Sequence, residues 1–411
     1  MTRIRHRSLG RVALDRKRAG AFCFFGRQMQ DITSWRVGIL FSETGVTGAI
    51  EGTQRAATLL AIDEINAAGG VRGLPIEPIS YDPASTPSRY REMALRLCDE
   101  DRVNVVFGCH MSSTRKAALP VIEARGALLF YPTLYEGFEY SRHCIYTGAA
   151  PNQNSVQLVE FLTRNYGKKV FLVGSNYVYP YESNRIIADL FLREGGQVLD
   201  EMYVPLALKE SDIARIIERI RRAQPDVIYS TIVGEGIIPF FKAYRAAGFD
   251  PRKVPIASQS TSEADFAQLS PDIAAGHVTA APFFSTLDRP RTRQFVAAYK
   301  QAFGDDTSPT APAEAAYFQV HLFAAALEKA GSSDLDALLP ALSCVEYDAP
   351  QGVVKIDAAT NHTHLWPRVA KINDKGLFEI VYDPSLRVAP DPFMLGHRAD
   401  MPVVSVGTTA R

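Results

Sequence analysis

The stretch 103–140, VNVVFGCHMSSTRKAALPVIEARGALLFYPTLYEGFEY, offers the most chemistry. Ser112 and Ser113 stand near one end, Thr133 near the other, with Tyr131 and Tyr135 beside it. A hydroxyl both donates and accepts hydrogen bonds, and a tyrosine adds an apolar wall to its one hydroxyl. Such neutral groups suit a small polar molecule, an amide or a carboxylate, with Glu136 and Arg115 close by in sequence. A Ser or Thr ahead of a helix also satisfies the helix's first N–H groups. That reading accounts for Ser113 alone. Ser112 and Thr133 together point to ligand contact.

Two further candidates follow later strands. Tyr177, Tyr179 and Tyr181 lie in SNYVYPYES, and Tyr179 is the one chosen as a wall of the same cleft. Glu235, in IVGEGI, is either an acidic residue in a first helical turn or an acceptor for ligand N–H groups.

Catalytic readings fare worse. Ser113–Lys116 matches the Ser-x-x-Lys pattern of penicillin-recognising serine hydrolases, but Ser-Asp-Asn and Lys-Thr-Gly are absent from the chain. Cys109 and His110 are adjacent, a spacing that rarely orients a thiol towards its base. No glycine-rich phosphate loop occurs. His362 and His364 lack a third metal ligand and read as solvated histidines. A binding protein without cofactor or metal is expected, not an enzyme.

The elements that position these groups read as a βαβ unit. Residues 103–108 and 127–131 are short apolar runs suited to buried parallel strands, with a helix over 114–125 between them. A right-handed crossover puts both turns at the carboxyl ends of neighbouring strands, where open α/β sheets bind ligands. The same alternation runs from 35 to 148 and again from 149 to 281. The fold class expected is α/β, with two Rossmann-like lobes joined by a three-strand hinge. Lobe one takes 35–148 and 282–343. Lobe two takes 149–281 and 344–383, and 384–411 is an extended tail. Three crossings make closure of the lobes over a ligand the natural motion.

Lysine plus arginine and aspartate plus glutamate balance at 45 each. Eight basic and two acidic residues fall in the first 35, which leaves 37 basic and 43 acidic residues in the globular part. That mildly acidic body argues against a nucleic-acid surface. No apolar run approaches the ~20 residues of a membrane span. Five cysteines at irregular spacing make no disulfide framework and fit a reducing compartment. The start combines a basic run with the apolar patch AGAFCFFG, without a small-x-small cleavage site or a small residue before Cys23. Residues 1–34 are expected to be a disordered basic tail or a start placed too far upstream, with Met29 the true one.

Nine stretches together resemble the type I periplasmic-binding-protein-like family, within it the amide and urea branch: VGILFSETG, AIDEINAAGG, GCHMSSTRKAALP, YPTLYEGFEYS, YTGAAPNQN, GSNYVYPYESN, EAAY, DAPQG and APDPF. They span 37 to 393. The chain looks most similar to the cytoplasmic amide sensors of aliphatic amidase operons. That resemblance implies a short-chain amide as ligand and a transcription antitermination regulator as partner, held inactive until the amide arrives. It carries ligand contact over to Ser112, Thr133, Tyr131 and Tyr179. Two positions depart from the sensor pattern. His110 stands where the sensor has tyrosine. Glu235 stands where the sensor has a neutral residue and urea-binding transport proteins an acidic one. The expectation is therefore a cytoplasmic small-amide sensor that binds neither nucleic acid nor membrane directly and has the potential to self-associate. The alternative is the periplasmic substrate-binding protein of a urea or short-chain amide ABC transporter.

Overall fold

The computed structural model describes residues 33–397. The expected N-terminal tail, apart from Thr33 and Ser34, and residues 398–411 lie outside the described residues. Everything described from Ser34 onward falls in one compact unit.

The first lobe follows the βα alternation of the sequence. Strand β1 (Trp35–Leu40) leads to helix α1 (Gly48–Ala67), β2 (Ile76–Ser80) to α2 (Pro87–Asp99), β3 (Val105–Gly108) to α3 (Ser112–Ala124), and β4 (Leu128–Tyr131) to β5 (Cys144–Tyr146). The strands form an all-parallel sheet in the order β2-β1-β3-β4-β5. Both faces are buried, so successive residues serve opposite cores. Val105, Phe107, Leu128 and Phe130 face one, and Val106, Leu129 and Tyr131 the other.

The second lobe runs through α4 (Ser155–Asn165), β6 (Lys169–Ser175), α5 (Val178–Arg193), β7 (Gln197–Val204), α6 (Glu210–Ala223), β8 (Val227–Thr231), α7 (Ile237–Ala246) and β9 (Ile256–Ser258). Two single-turn helices, α8 (Glu263–Phe266) and α9 (Pro271–Ala274), precede β10 (Val278–Ala281). Helix α6 shows why such segments become amphipathic helices: Ile213, Ile216, Ile217 and Ile220 recur at 3.6-residue spacing and are its buried residues.

The chain then returns to the first lobe as α10 (Pro290–Phe303), α11 (Ala311–Ala330) and α12 (Leu335–Leu342). Thr310 caps α11 by accepting from the Ala313 N–H, and Gly331 ends it in the left-handed region. A three-stranded antiparallel sheet follows, β11 (Glu346–Ala349), β12 (Gly352–Ile356) and β13 (Thr363–His364). The final hairpin, β14 (Arg368–Ile372) and β15 (Phe378–Tyr382), completes a seven-stranded sheet ordered β15-β14-β10-β9-β8-β6-β7. The hairpin pairs antiparallel and β10-β9-β8-β6-β7 parallel.

One boundary differs from the sequence expectation. Residues 344–365 do not pack with the second lobe: Ala349, Val354, Ile356 and Leu365 sit in the first lobe's core, and Tyr146 bridges to His362. The third crossing therefore lies between Leu365 and Arg368, not at 343/344. The core that these short strands join is a tertiary choice. His362, read as solvated, is fully buried and stacks on Tyr146.

Arg368 ties two crossings together. Its Nη1 donates to the carbonyls of Pro282 (2.6 Å) and Trp366 (3.2 Å), its Nη2 to that of Gln351 (3.2 Å), and its Nε to Asp383 (2.8 Å). Residues 384–397 run without long elements but are not loose. Val388 exchanges backbone hydrogen bonds with Leu365, and Met394 is buried in a second-lobe core.

Candidate functional site

Helix α3 begins at Ser112, two residues before the expected 114, and α5 begins at Val178, four residues before Glu182, where the sequence places its start. Both shifts matter, because Ser112 and Tyr179 become first-turn residues at the carboxyl ends of their sheets. A cavity of about 50 Å³ lies between the lobes, room for about four waters or one small molecule. His110, Met111, Ser112, Thr133, Leu134, Ile50 and Pro312 wall it from the first lobe. Tyr177, Tyr179, Val233, Gln259, Ser260 and Ser262 wall it from the second.

The hydrogen bonds around the cavity fix its polarity. Gln54 Nε2 donates to Thr133 Oγ1 (3.0 Å), so Gln54 Oε1 is an acceptor, and His110 Nδ1 reaches it at 2.8 Å. The proton of the His110 ring is thereby assigned to Nδ1, which leaves Nε2 an acceptor. Burial lowers the His110 pKa to about 4, so the ring is neutral at pH 7. Thr133 accepts from Gln54 and keeps its own proton to donate. Ser112 gives its proton to Glu136 Oε2 and therefore presents lone pairs only. The Tyr179 hydroxyl is buried at the cavity wall, beside Ser183 and Tyr229.

Tyr131 has a different place from the one expected. It is fully buried behind the cavity, donates its hydroxyl proton to the His110 carbonyl (2.6 Å), and stacks its ring on the Arg115 guanidinium, 4.5 Å from the ring centre. It holds the backbone of His110 and does not line the cavity. Glu235 does not line it either. It sits exposed on the turn Gly234–Gly236, whose first residue packs against the Val46 carbonyl of the other lobe. The chain spends this approach on backbone contact between lobes, which turns the glutamate side chain outward. Ser112, Thr133, His110 and Tyr179 are brought together.

Sequence reasoning missed Gln54 and Gln259. Gln259 follows β9 in the run SQSTSE, and the carboxyl-end rule applied to 103–140 reaches it equally well. Its side chain is held from both ends, accepting from Tyr229 (2.9 Å) and donating to Ser155 (3.0 Å). Gln54 sits on the inner face of α1, with no local signal to separate it from a solvated glutamine. Among the described residues no helix is long and apolar enough to cross a membrane, and no cluster of His, Cys, Asp and Glu could hold a metal ion.

The model of the periplasmic binding protein domain family matches residues 35–398. The leucine-, isoleucine-, valine-, threonine- and alanine-binding protein of Pseudomonas aeruginosa is 24% identical over 317 residues, 76% of this chain and 83% of that protein. A solute binding protein of an ABC transporter from Rhodopseudomonas palustris, solved with 3,4-dihydroxybenzoic acid, superposes with a TM-score of 0.78 at 24% identity, covering 86% of this chain and 99% of that one. The branched-chain amino acid transporter substrate binding protein LivJ of Streptococcus pneumoniae, solved with isoleucine, gives 0.74 at 20% identity, covering 85% and 99%. At these identities the solved structures establish the two-lobe fold with parallel sheets.

Proposed function

We propose that this chain, which belongs to the periplasmic binding protein domain family, is the substrate-binding protein of an ABC transporter and closes its lobes on a small neutral amide or urea. The observation that carries the ligand class is the cavity of about 50 Å³. It is too small for a large solute, and its polar walls are neutral. Ser112 and His110 Nε2 accept, Thr133 donates, and an amide supplies the matching N–H and carbonyl groups. Ligand contact is assigned to Ser112, Thr133, His110 and Tyr179, with Gln259 added.

The transport assignment rests on relatives whose names are those of binding and transporter proteins. None of these names describes a regulator of an amidase operon or an antitermination partner, so the cytoplasmic sensor receives no support from them. An extracytoplasmic location goes with the transport reading. The cysteines do not oppose it: Cys109 and Cys144 are buried packing residues that stay unpaired.

Calorimetric titration of the full chain with acetamide, butyramide, urea and leucine tests the ligand class. Saturable binding of an amide or urea with leucine inert is the expected result, and binding of leucine alone sinks it. Fractionation of the native host separates the two roles. Protein in the soluble cytosolic fraction, co-purifying with an RNA-binding regulator, would return the sensor to first place.

A further inference from the structure

The buried pair Arg115–Glu136 stands behind Ser112, which walls the cavity. Glu136 is 4% exposed and Arg115 fully buried. Arg115 Nη2 lies 3.5 Å from Glu136 Oε1, and its Nε bonds Glu139 at 2.8 Å. The guanidinium also contacts two aromatic rings set nearly at right angles to each other, 4.5 Å from the centre of Tyr131 and 4.7 Å from that of Tyr135. Glu136 Oε1 has no hydrogen-bond partner, while Oε2 accepts the Ser112 proton. The carboxylate's charge reaches Tyr177 and Tyr179 on the opposite lobe.

We infer that Glu136, held by Arg115, is the specificity-determining residue of the site: it forces Ser112 to act only as an acceptor, so the site selects a ligand N–H and rejects a carboxylate. The inference rests on the proposed binding function and deepens it. A serine facing a cavity ordinarily rotates its proton to suit whatever enters. Here the Ser112 hydroxyl donates to Glu136 Oε2, which directs its hydrogen away from the cavity. A ligand oxygen at Ser112 then meets lone pairs, whereas a ligand N–H meets an acceptor. Arg115 and Lys116 balance Glu136 and Glu139 in charge, so the discrimination rests on the acceptor-only state of the Ser112 hydroxyl and not on a net field at the cavity.

Acetamide and acetate make the decisive probes, because they share shape and differ in one N–H₂ for one O⁻. The wild-type chain should bind acetamide about a hundred-fold more tightly than acetate, the discrimination expected when a buried polar site meets the wrong partner. In Glu136→Gln the carboxamide can donate to Ser112, whose proton turns to the cavity. Acetamide affinity should fall about ten-fold and the ratio between the two ligands should narrow by at least that factor. Ser112→Ala should weaken acetamide without improving acetate. An unchanged ratio in a folded Glu136→Gln protein overturns the inference. Should that variant not fold by circular dichroism, the wild-type ratio decides: equal affinity for acetamide and acetate refutes it. Failure of amides and urea alike to bind the wild type would instead bring down the function on which it rests.

Discussion

Thr133 is the residue on which the first lobe's contribution converges. It receives a proton from Gln54 and keeps one for the cavity, and Gln54 in turn fixes the His110 tautomer. Thr133→Ala removes the donor and leaves Gln54 Nε2 without its acceptor. Ligand affinity should drop by about 1–3 kcal/mol, roughly five- to 150-fold, measured by the same titration. Glu235→Thr should leave affinity unchanged within error, since the side chain is exposed and outside the cavity. A large loss there would mean that the turn Gly234–Gly236 reaches the ligand.

At the scale of elements, the loop after β4 is held in place by the crossing that follows β5. A Cβ on Gly148 would stand 2.2 Å from the Thr133 carbonyl oxygen and 2.5 Å from the Leu134 nitrogen. These are backbone atoms, so the clash cannot be relieved by turning a side chain. Gly148→Ala should cost on the order of 3 kcal/mol of stability and weaken ligand binding as well, because the displaced loop carries Thr133. Chemical denaturation and titration of the one variant read both effects. Stability lost without any change in affinity would show that the loop adapts.

For the whole molecule, buried ionisable groups set the pH range. Burial lowers His110 and His362 to about 4 and His277 to about 3, against an ordinary value of 6.5. Their neutral forms stabilise the fold above pH 6.5, and that contribution is lost as pH falls through 4. Burial raises Glu51 and Glu263 to about 7 and Glu314 to about 8, from 4.5. Their protonated forms favour the folded state below 4.5, a contribution lost as pH rises through 7 to 8. Glu314 accepts from Gln351 beside Arg368, so its share of the upper limb belongs to the hinge. Between pH 4.5 and 6.5 the two sets offset each other, so thermal midpoints should be level there and fall both below 4.5 and from 6.5 towards 8. A flat profile above pH 6.5 would show that these carboxyls are ionised in the folded protein.

Local chemistry determined much of this without coordinates. Apolar runs of four to six residues alternating with amphipathic helices specify parallel sheets, and parallel sheets put the loops carrying Ser112, Thr133 and Tyr179 at one edge. Those are period and propensity effects, carried by each segment alone. Tertiary structure decided the rest. Residues 344–365 could satisfy either core, and the choice of the first came from the bridge of Tyr146 to His362 and the packing of Val354 and Ile356. The outward turn of Glu235, the withdrawal of Tyr131 behind the wall and the recruitment of Gln54 and Gln259 depend on how two lobes meet. The same is true of the proton that Ser112 gives to Glu136, which no spacing along the chain encodes, because a hydroxyl takes its polarity from the partner that folding brings to it.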